Sequence, residues 1–183
     1  MAPESFDLYE MSPSCGAIIE GIDLSNDLNE RQFNEIHHAL LDRTVIVFRD
    51  QNITPEQQVA FARRFGEPQP AEVSGFEKSK DNPEIDVLEY DASNPPHVTR
   101  DLWHTDFVGT ERPTMGTVLY AKNIPPRGGD TVWVNMVAAY EGLSDRMRDH
   151  VDGLWAYHDR FKAYDEHVRP DLWNKEHQEH LRN

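Results

Sequence analysis

Apolar positions in this chain recur at two periods. Phe33, Ile36 and Leu40, with His37 beside them, fall at the three-to-four spacing of one helix face. Asn29 stands before that run and Gln32 follows three residues on, a reciprocal capping signal, so a helix is predicted from Glu30 to about Leu41. Thr44-Val45-Ile46-Val47-Phe48 is instead unbroken and β-branched, the pattern of a buried strand. Ala17-Ile18-Ile19 before Gly21 reads as a shorter strand. A second helix is predicted to open at Thr54-Pro55-Glu56-Gln57: Thr54 caps it, Pro55 suits the first turn and Gln57 returns the bond. Gly66 is expected to end it just after Phe65.

The pattern changes beyond Gly66. Residues 68–82 are polar and charged, as in a loop, and Ile85 to Tyr90 is strand-like. Pro95-Pro96 breaks the chain ahead of a segment, Leu102 to Phe107, that carries a His and an Asp. Thr114 to Ala121 and Thr131 to Val134 read as two further strands, joined by a tight connection through Pro125-Pro126-Arg127-Gly128-Gly129. Asn135 is placed to cap a helix through Tyr140, and Ser144 another through His150. From Asp159 to Asn183 the chain is polar and His-rich without a clean period. There are no repeats. Strands dominate after Thr44 and the longer helices come early, which predicts an α+β class with a β-sandwich or barrel as its core.

Composition narrows the partners. A chain of 183 residues suits a single domain spanning 1–183. A net charge of -15 repels phosphate backbones and anionic lipid surfaces, so neither nucleic acid nor a membrane is expected as a partner. No apolar run approaches the length of a membrane span. Cys15 is the one cysteine, so no internal disulfide can form. Met1 to Ser5 lacks the basic and apolar stretches of a signal peptide, and a soluble cytoplasmic protein is the expectation; a homo-oligomer is allowed for. The mean hydropathy of -0.73 suggests a wet surface and an incomplete core.

The candidate chemistry sits in Trp103-His104-Thr105-Asp106. Side chains two apart on an extended segment point to the same side, so an imidazole nitrogen of His104 and a carboxylate oxygen of Asp106 can reach one metal ion. A second His would complete the 2-His-1-carboxylate face that holds non-haem Fe(II) and leaves positions open for oxygen chemistry. A bare His-x-Asp is a weak signal, and the chain holds a second, His150-Val151-Asp152. That pair ends a predicted helix, where residues two apart do not face each other, and is read as solvated surface. His104 and Asp106 follow a Pro-rich loop and precede a strand, as a metal site at the mouth of a barrel would; the ordinary alternative is a pair of edge residues. Gly128-Gly129-Asp130-Thr131 is either a plain hairpin turn or a turn whose Thr131 hydroxyl faces a ligand carboxylate near the metal.

Taken together, the chain resembles the taurine dioxygenase (TauD/TfdA-like) family of Fe(II)- and 2-oxoglutarate-dependent oxygenases. The matching pieces, in order, are Gly16-Ala17 with Gly21-Ile22-Asp23-Leu24, Val45 to Gln51, Ile53 to Gln58, Arg64-Phe65-Gly66-Glu67, Trp103 to Asp106, Gly128 to Thr131, Ala138 to Ser144 and Tyr157-His158-Asp159. Each is weak alone; the series is specific. The resemblance implies a double-stranded β-helix, or jelly-roll, core with flanking helices. It implies that His104 and Asp106 are iron ligands and that Thr131 binds a carboxylate of 2-oxoglutarate. It also implies a reaction in which O2 and 2-oxoglutarate are consumed, succinate is formed and a small organic substrate is hydroxylated.

Two departures follow from the same comparison. The family's distal iron-binding His and its oxoglutarate-binding Arg lie well beyond the His-x-Asp motif, so this chain is expected to be an N-terminal portion of the family domain. His158, His167, His177 and His180 are read as surface residues rather than the third ligand. Taurine-using members resemble one another in a His and an aromatic just after the Arg-Phe-Gly-Glu segment, whereas Pro68 to Ser74 has neither. A small anionic substrate of the sulfonate, sulfate ester or carboxylic acid type is therefore expected, with taurine a poor one; Arg100 is either a contact for its charge or, as the ordinary alternative, an exposed surface residue. The rival readings are a catalytically inactive fragment or binding protein of the same fold, and a metal-dependent hydrolase, which also uses His and Asp ligands.

Overall fold

A computed structural model describes residues 5–69, 77–79, 82–90, 103–106 and 111–158. They fall into two compact units, Met1–Glu67 with Tyr120–Leu154, and Pro68–Leu119 with Trp155–Asn183. No helix among the described residues is long and apolar enough to cross a membrane.

The first unit is built on a three-stranded sheet, β1 (Asp7–Glu10), β2 (Ala17–Glu20) and β3 (Ile46–Phe48), in that order. β1 and β2 run antiparallel with Leu8 opposite Ile19; β2 and β3 run parallel with Ile18 opposite Val47. A parallel pair needs a crossover, and α1 (Glu30–Arg43) provides it. The predicted capping box is present in full: the Asn29 side chain accepts from the Gln32 backbone N–H, and the Gln32 side chain accepts from that of Asn29. α2 (Pro55–Arg63) starts with the same device, Thr54 with Gln57, and with Pro at its first turn.

The apolar face of α1 packs Ile36 and Ala39 onto the sheet, and Ile36 and Ile19 are almost completely buried. Each such isoleucine stabilises the fold by about 2 kcal/mol. Phe6, Ile22, Leu24 and Ile53 complete this core. Phe33, Phe61 and Phe65 stack edge to face beside it, with Phe48 against Phe61. The Arg64 guanidinium lies 4.3 Å over the Phe33 ring while donating to Leu28 O and Glu30 Oε1, both at 2.8 Å. Later in the chain, Tyr120 Oη donates to Gln51 O at 2.9 Å, and α3 (Met136–Glu141) is anchored where the Asn135 amide donates to Ser14 O at 2.7 Å. α4 (Asp145–Val151) follows, capped by Ser144.

In the second unit, β4 (Glu77–Lys78) pairs antiparallel with β5 (Asp86–Val87).

Several expectations need correction. Thr114 to Ala121 and Thr131 to Val134 are not strands: neither segment joins a ladder with any described residue. Their β-branched, apolar sequence suits a pleated surface, but a strand exists only when a neighbour takes its backbone hydrogen bonds. Met115, Leu119, Val132, Trp133 and Val134 are correspondingly exposed. The described sheets are a small mixed one and a two-stranded ribbon. The strand expected over Ile85–Tyr90 shrinks to Asp86–Val87, and β4 arises inside a stretch read as loop. β1 was not predicted at all. The segment from Asp159 to Asn183 lies outside the described residues.

Candidate functional site

His104 and Asp106 belong to the second unit, in a stretch without regular structure that turns at Asp106 rather than on a strand. Their side chains nevertheless reach the same side. His104 Nε2 lies 3.5 Å from Asp106 Oδ1, with the two side chains 65% and 48% exposed. At such exposure an ion pair adds little to stability. The approach does suit a shared metal. Two neighbouring nitrogen and oxygen ligands of an octahedral ion, each about 2.1 Å from it, sit roughly 3 Å apart. The donor set is right for Fe(II) or Mn(II): one imidazole nitrogen and one hard anionic oxygen.

The other carboxylate oxygen is occupied. Thr117 Oγ1 donates to Asp106 Oδ2 at 2.9 Å from eleven positions further along the chain. Sequence reasoning did not single out Thr117. The available signal was one hydroxyl set in the apolar run Met115-Gly116-Thr117-Val118-Leu119.

Thr131 belongs to the first unit and is exposed. Gly128 and Gly129 before it have φ of +74° and +73°, and a Cβ at Gly129 would stand 3.3 Å from Pro125 Cγ. Two successive left-handed residues produce the abrupt reversal that presents Asp130 and Thr131, and glycine is the residue that adopts them without strain. His158 is exposed in the second unit. Arg100, His167, His177, His180 and positions 70–74 lie outside the described residues. Among the described residues no group of three or more His, Cys, Asp or Glu is placed to hold a metal. A polar depression lined by Tyr140, Asp145, Arg148, Asp149 and Asp152 belongs to the first unit and includes none of the candidate residues. His150 and Asp152, the second His-x-Asp pair, are exposed, and Asp152 accepts a hydrogen bond from Tyr140.

An imidazole nitrogen and a carboxylate oxygen thus approach each other, with the carboxylate's other oxygen held by a hydroxyl. Residues 7–183 match the model of the taurine catabolism dioxygenase TauD, TfdA family, and the chain belongs to that family. It is similar to the (S)-phenoxypropionate/alpha-ketoglutarate-dioxygenase of Sphingobium herbicidovorans, with 32% identity over 160 residues, 86% of this chain and 54% of the relative. Among solved structures it resembles a taurine dioxygenase from Burkholderia xenovorans, with 36% identity and a TM-score of 0.64 over 81% of this chain and 52% of that one. It also resembles AAD-2 in complex with Mn(II) and N-oxalylglycine, with 25% identity and a TM-score of 0.71 over 96% of this chain and 62% of that one. The chain spans about half the length of the curated relatives it matches.

Proposed function

We propose that this chain carries part of the active site of an Fe(II)- and 2-oxoglutarate-dependent dioxygenase built on a jelly-roll core, and that the enzyme hydroxylates a small anionic organic molecule. The observation that carries this reading is the 3.5 Å approach of His104 Nε2 to Asp106 Oδ1 within a chain of this family. His104 and Asp106 would hold Fe(II) by two neighbouring positions, leaving others for the keto-acid end of 2-oxoglutarate and for O2. Thr131 would hydrogen-bond a 2-oxoglutarate carboxylate from the end of the Gly128–Gly129 turn. Bound iron supplies the redox chemistry that couples oxidation of 2-oxoglutarate to succinate with hydroxylation of a C–H bond. The protein's residues fix the ligands and exclude competing reactions. The complex of AAD-2 supports the co-substrate assignment, because N-oxalylglycine has the 2-oxoglutarate frame with an N–H in place of one methylene. The anionic substrate class rests on relatives named for a phenoxypropionate and for taurine, a carboxylate and a sulfonate.

Fe(II)-dependent formation of succinate from 2-oxoglutarate, followed with a panel of aryloxy acids, alkyl sulfonates and taurine, tests the proposal. His104→Ala and Asp106→Ala are each expected to abolish the reaction, since each removes a metal ligand. Undiminished succinate in both variants would remove the iron assignment. Taurine as the one coupled substrate would overturn the expectation drawn from Pro68 to Ser74. A second reading, a catalytically inactive binding protein of the same fold, draws support from the fact that no group of three or more His, Cys, Asp or Glu among the described residues is placed to hold a metal. It predicts 2-oxoglutarate binding without succinate.

A further inference from the structure

We infer that Thr117 is a positioning residue that orients Asp106 for metal binding; the inference rests on the reading of His104 and Asp106 as metal ligands. A carboxylate that binds a metal through one oxygen has two equivalent ways to present itself, related by rotation about its Cβ–Cγ bond. A hydrogen bond to one oxygen removes that ambiguity. Thr117 Oγ1 donates to Oδ2 at 2.9 Å, and the oxygen left facing His104 Nε2 is Oδ1, at 3.5 Å. The hydroxyl and the imidazole therefore take different oxygens of the same group, which is the division of labour a one-oxygen ligand needs. The bond also withdraws little charge from Oδ1, because a neutral hydroxyl is the donor. An Arg or Lys there would neutralise the carboxylate and compete with the metal.

The alternative is that Thr117 merely staples two stretches of the second unit together. Asp106 and Thr117 are both exposed, and an exposed neutral-donor bond contributes little to folding. A purely structural role would thus be a weak one, while hydrogen-bond partners of ligating groups commonly govern affinity by 10- to 100-fold.

Mn(II) is titrated into the 183-residue chain and into Thr117→Val, Thr117→Ser and His104→Ala variants, with free Mn(II) read from its electron paramagnetic resonance signal. Thermal melts without metal are recorded alongside. Thr117→Val keeps the shape of the side chain and removes the hydroxyl; it is expected to weaken Mn(II) binding about tenfold with an unchanged metal-free melt. Thr117→Ser restores the donor and is expected to keep the affinity. Binding unaltered in Thr117→Val but weakened in His104→Ala would overturn the role of Thr117 and leave the metal site standing. Binding indifferent to His104→Ala would overturn the underlying reading and this inference with it. A lowered metal-free melt in Thr117→Val, or loss of affinity in Thr117→Ser as well, would assign Thr117 to structure alone.

Discussion

Thr44 has a φ of +62°, a conformation in which a β-branched residue is strained by roughly 1–2 kcal/mol. Strain of this kind persists where the surroundings over-determine it, and they do here. The Thr44 N–H caps α1 on Leu40 O at 2.8 Å, and the neighbouring Arg43 O accepts from Gly16 N at 2.8 Å. Arg43 itself is buried; its guanidinium donates to Ser12 O at 2.6 Å and pairs with Glu10 at 3.4 Å, tying the β1–β2 connection to the end of the helix. Thr44→Gly relieves the strain but gives back some through the greater freedom of glycine in the unfolded chain. It also gives up the hydroxyl's bonds to Arg43 O and Cys15 Sγ, which lie at or near the surface. The balance is expected to raise stability by about 0.5–1 kcal/mol, visible as a rise of a few degrees in Tm. A drop in Tm would mean that the hydroxyl outweighs the backbone. None of this strain is readable from the sequence, because Thr44 looks like the first residue of a β-branched strand. The site shows the opposite case. The spacing of His104 and Asp106 foretells that their side chains share a side, while Thr117, eleven residues on, depends on a turn geometry that no local pattern encodes.

At the scale of elements, capping chemistry was the most legible feature. Asn29 with Gln32, Thr54 with Gln57, Asn135 and Ser144 all start helices where the sequence places them. These signals are local, with donor and acceptor within three residues. Asn29→Ala is expected to cost about 1 kcal/mol, since it removes the side-chain oxygen that accepts from the Gln32 N–H while leaving the backbone bond from residue 29 to the Gln32 side chain; an unchanged urea midpoint would argue against it. Strands were less legible because pairing is non-local. β1, with Asp7, Tyr9 and Glu10 in four residues, has no apolar run, yet it forms by matching Leu8 to Ile19 of β2. Thr131 to Val134 has the composition of a strand but no described partner. The helix pair α3 and α4 adds a pH-sensitive contact. Tyr140 Oη donates to Asp152 Oδ1, and that bond, with some desolvation and the negative charge of Asp152, raises the phenol above its usual 10.0. The sign follows from which form is favoured. The protonated phenol is the one bonded in the folded state, so the contact's contribution is complete below pH 10 and is lost as pH rises through the raised value. Ultraviolet titration of tyrosinate, compared with Tyr140→Phe, is expected to show one phenol ionising late. Asp152→Asn should bring it back toward its usual range, and a Tyr140 that ionises with the exposed tyrosines would disprove the contact.

For the whole molecule, apolar exposure and charge oppose one another. Trp103, Trp133 and Trp155 are 71%, 50% and 99% exposed, and Val132, Met136 and Val137 are open as well. Among the described residues the buried core is drawn from Phe6 to Val59 and contains no tryptophan; Trp173 lies outside them. Emission from Trp103, Trp133 and Trp155, read in a Trp173→Phe background, should therefore lie near that of hydrated indole, be readily quenched by acrylamide, and change little in urea, while far-ultraviolet circular dichroism follows the unfolding of the core. Exposed apolar side chains favour association, since covering them removes apolar area from water. The net charge of -15 works against it. Raising the salt shortens the screening length from about 10 Å at 0.1 M to about 3 Å at 1 M, which weakens the repulsion and leaves the apolar term in place. Sedimentation velocity is accordingly expected to show the chain more associated at high salt, with a blue shift in tryptophan emission that dilution reverses. Association that instead dissolves as salt rises would mean that opposite charges hold the copies together. Tryptophans already blue-shifted and protected at low salt and high dilution would mean that the faces around Trp103, Trp133 and Trp155 are covered within a single chain.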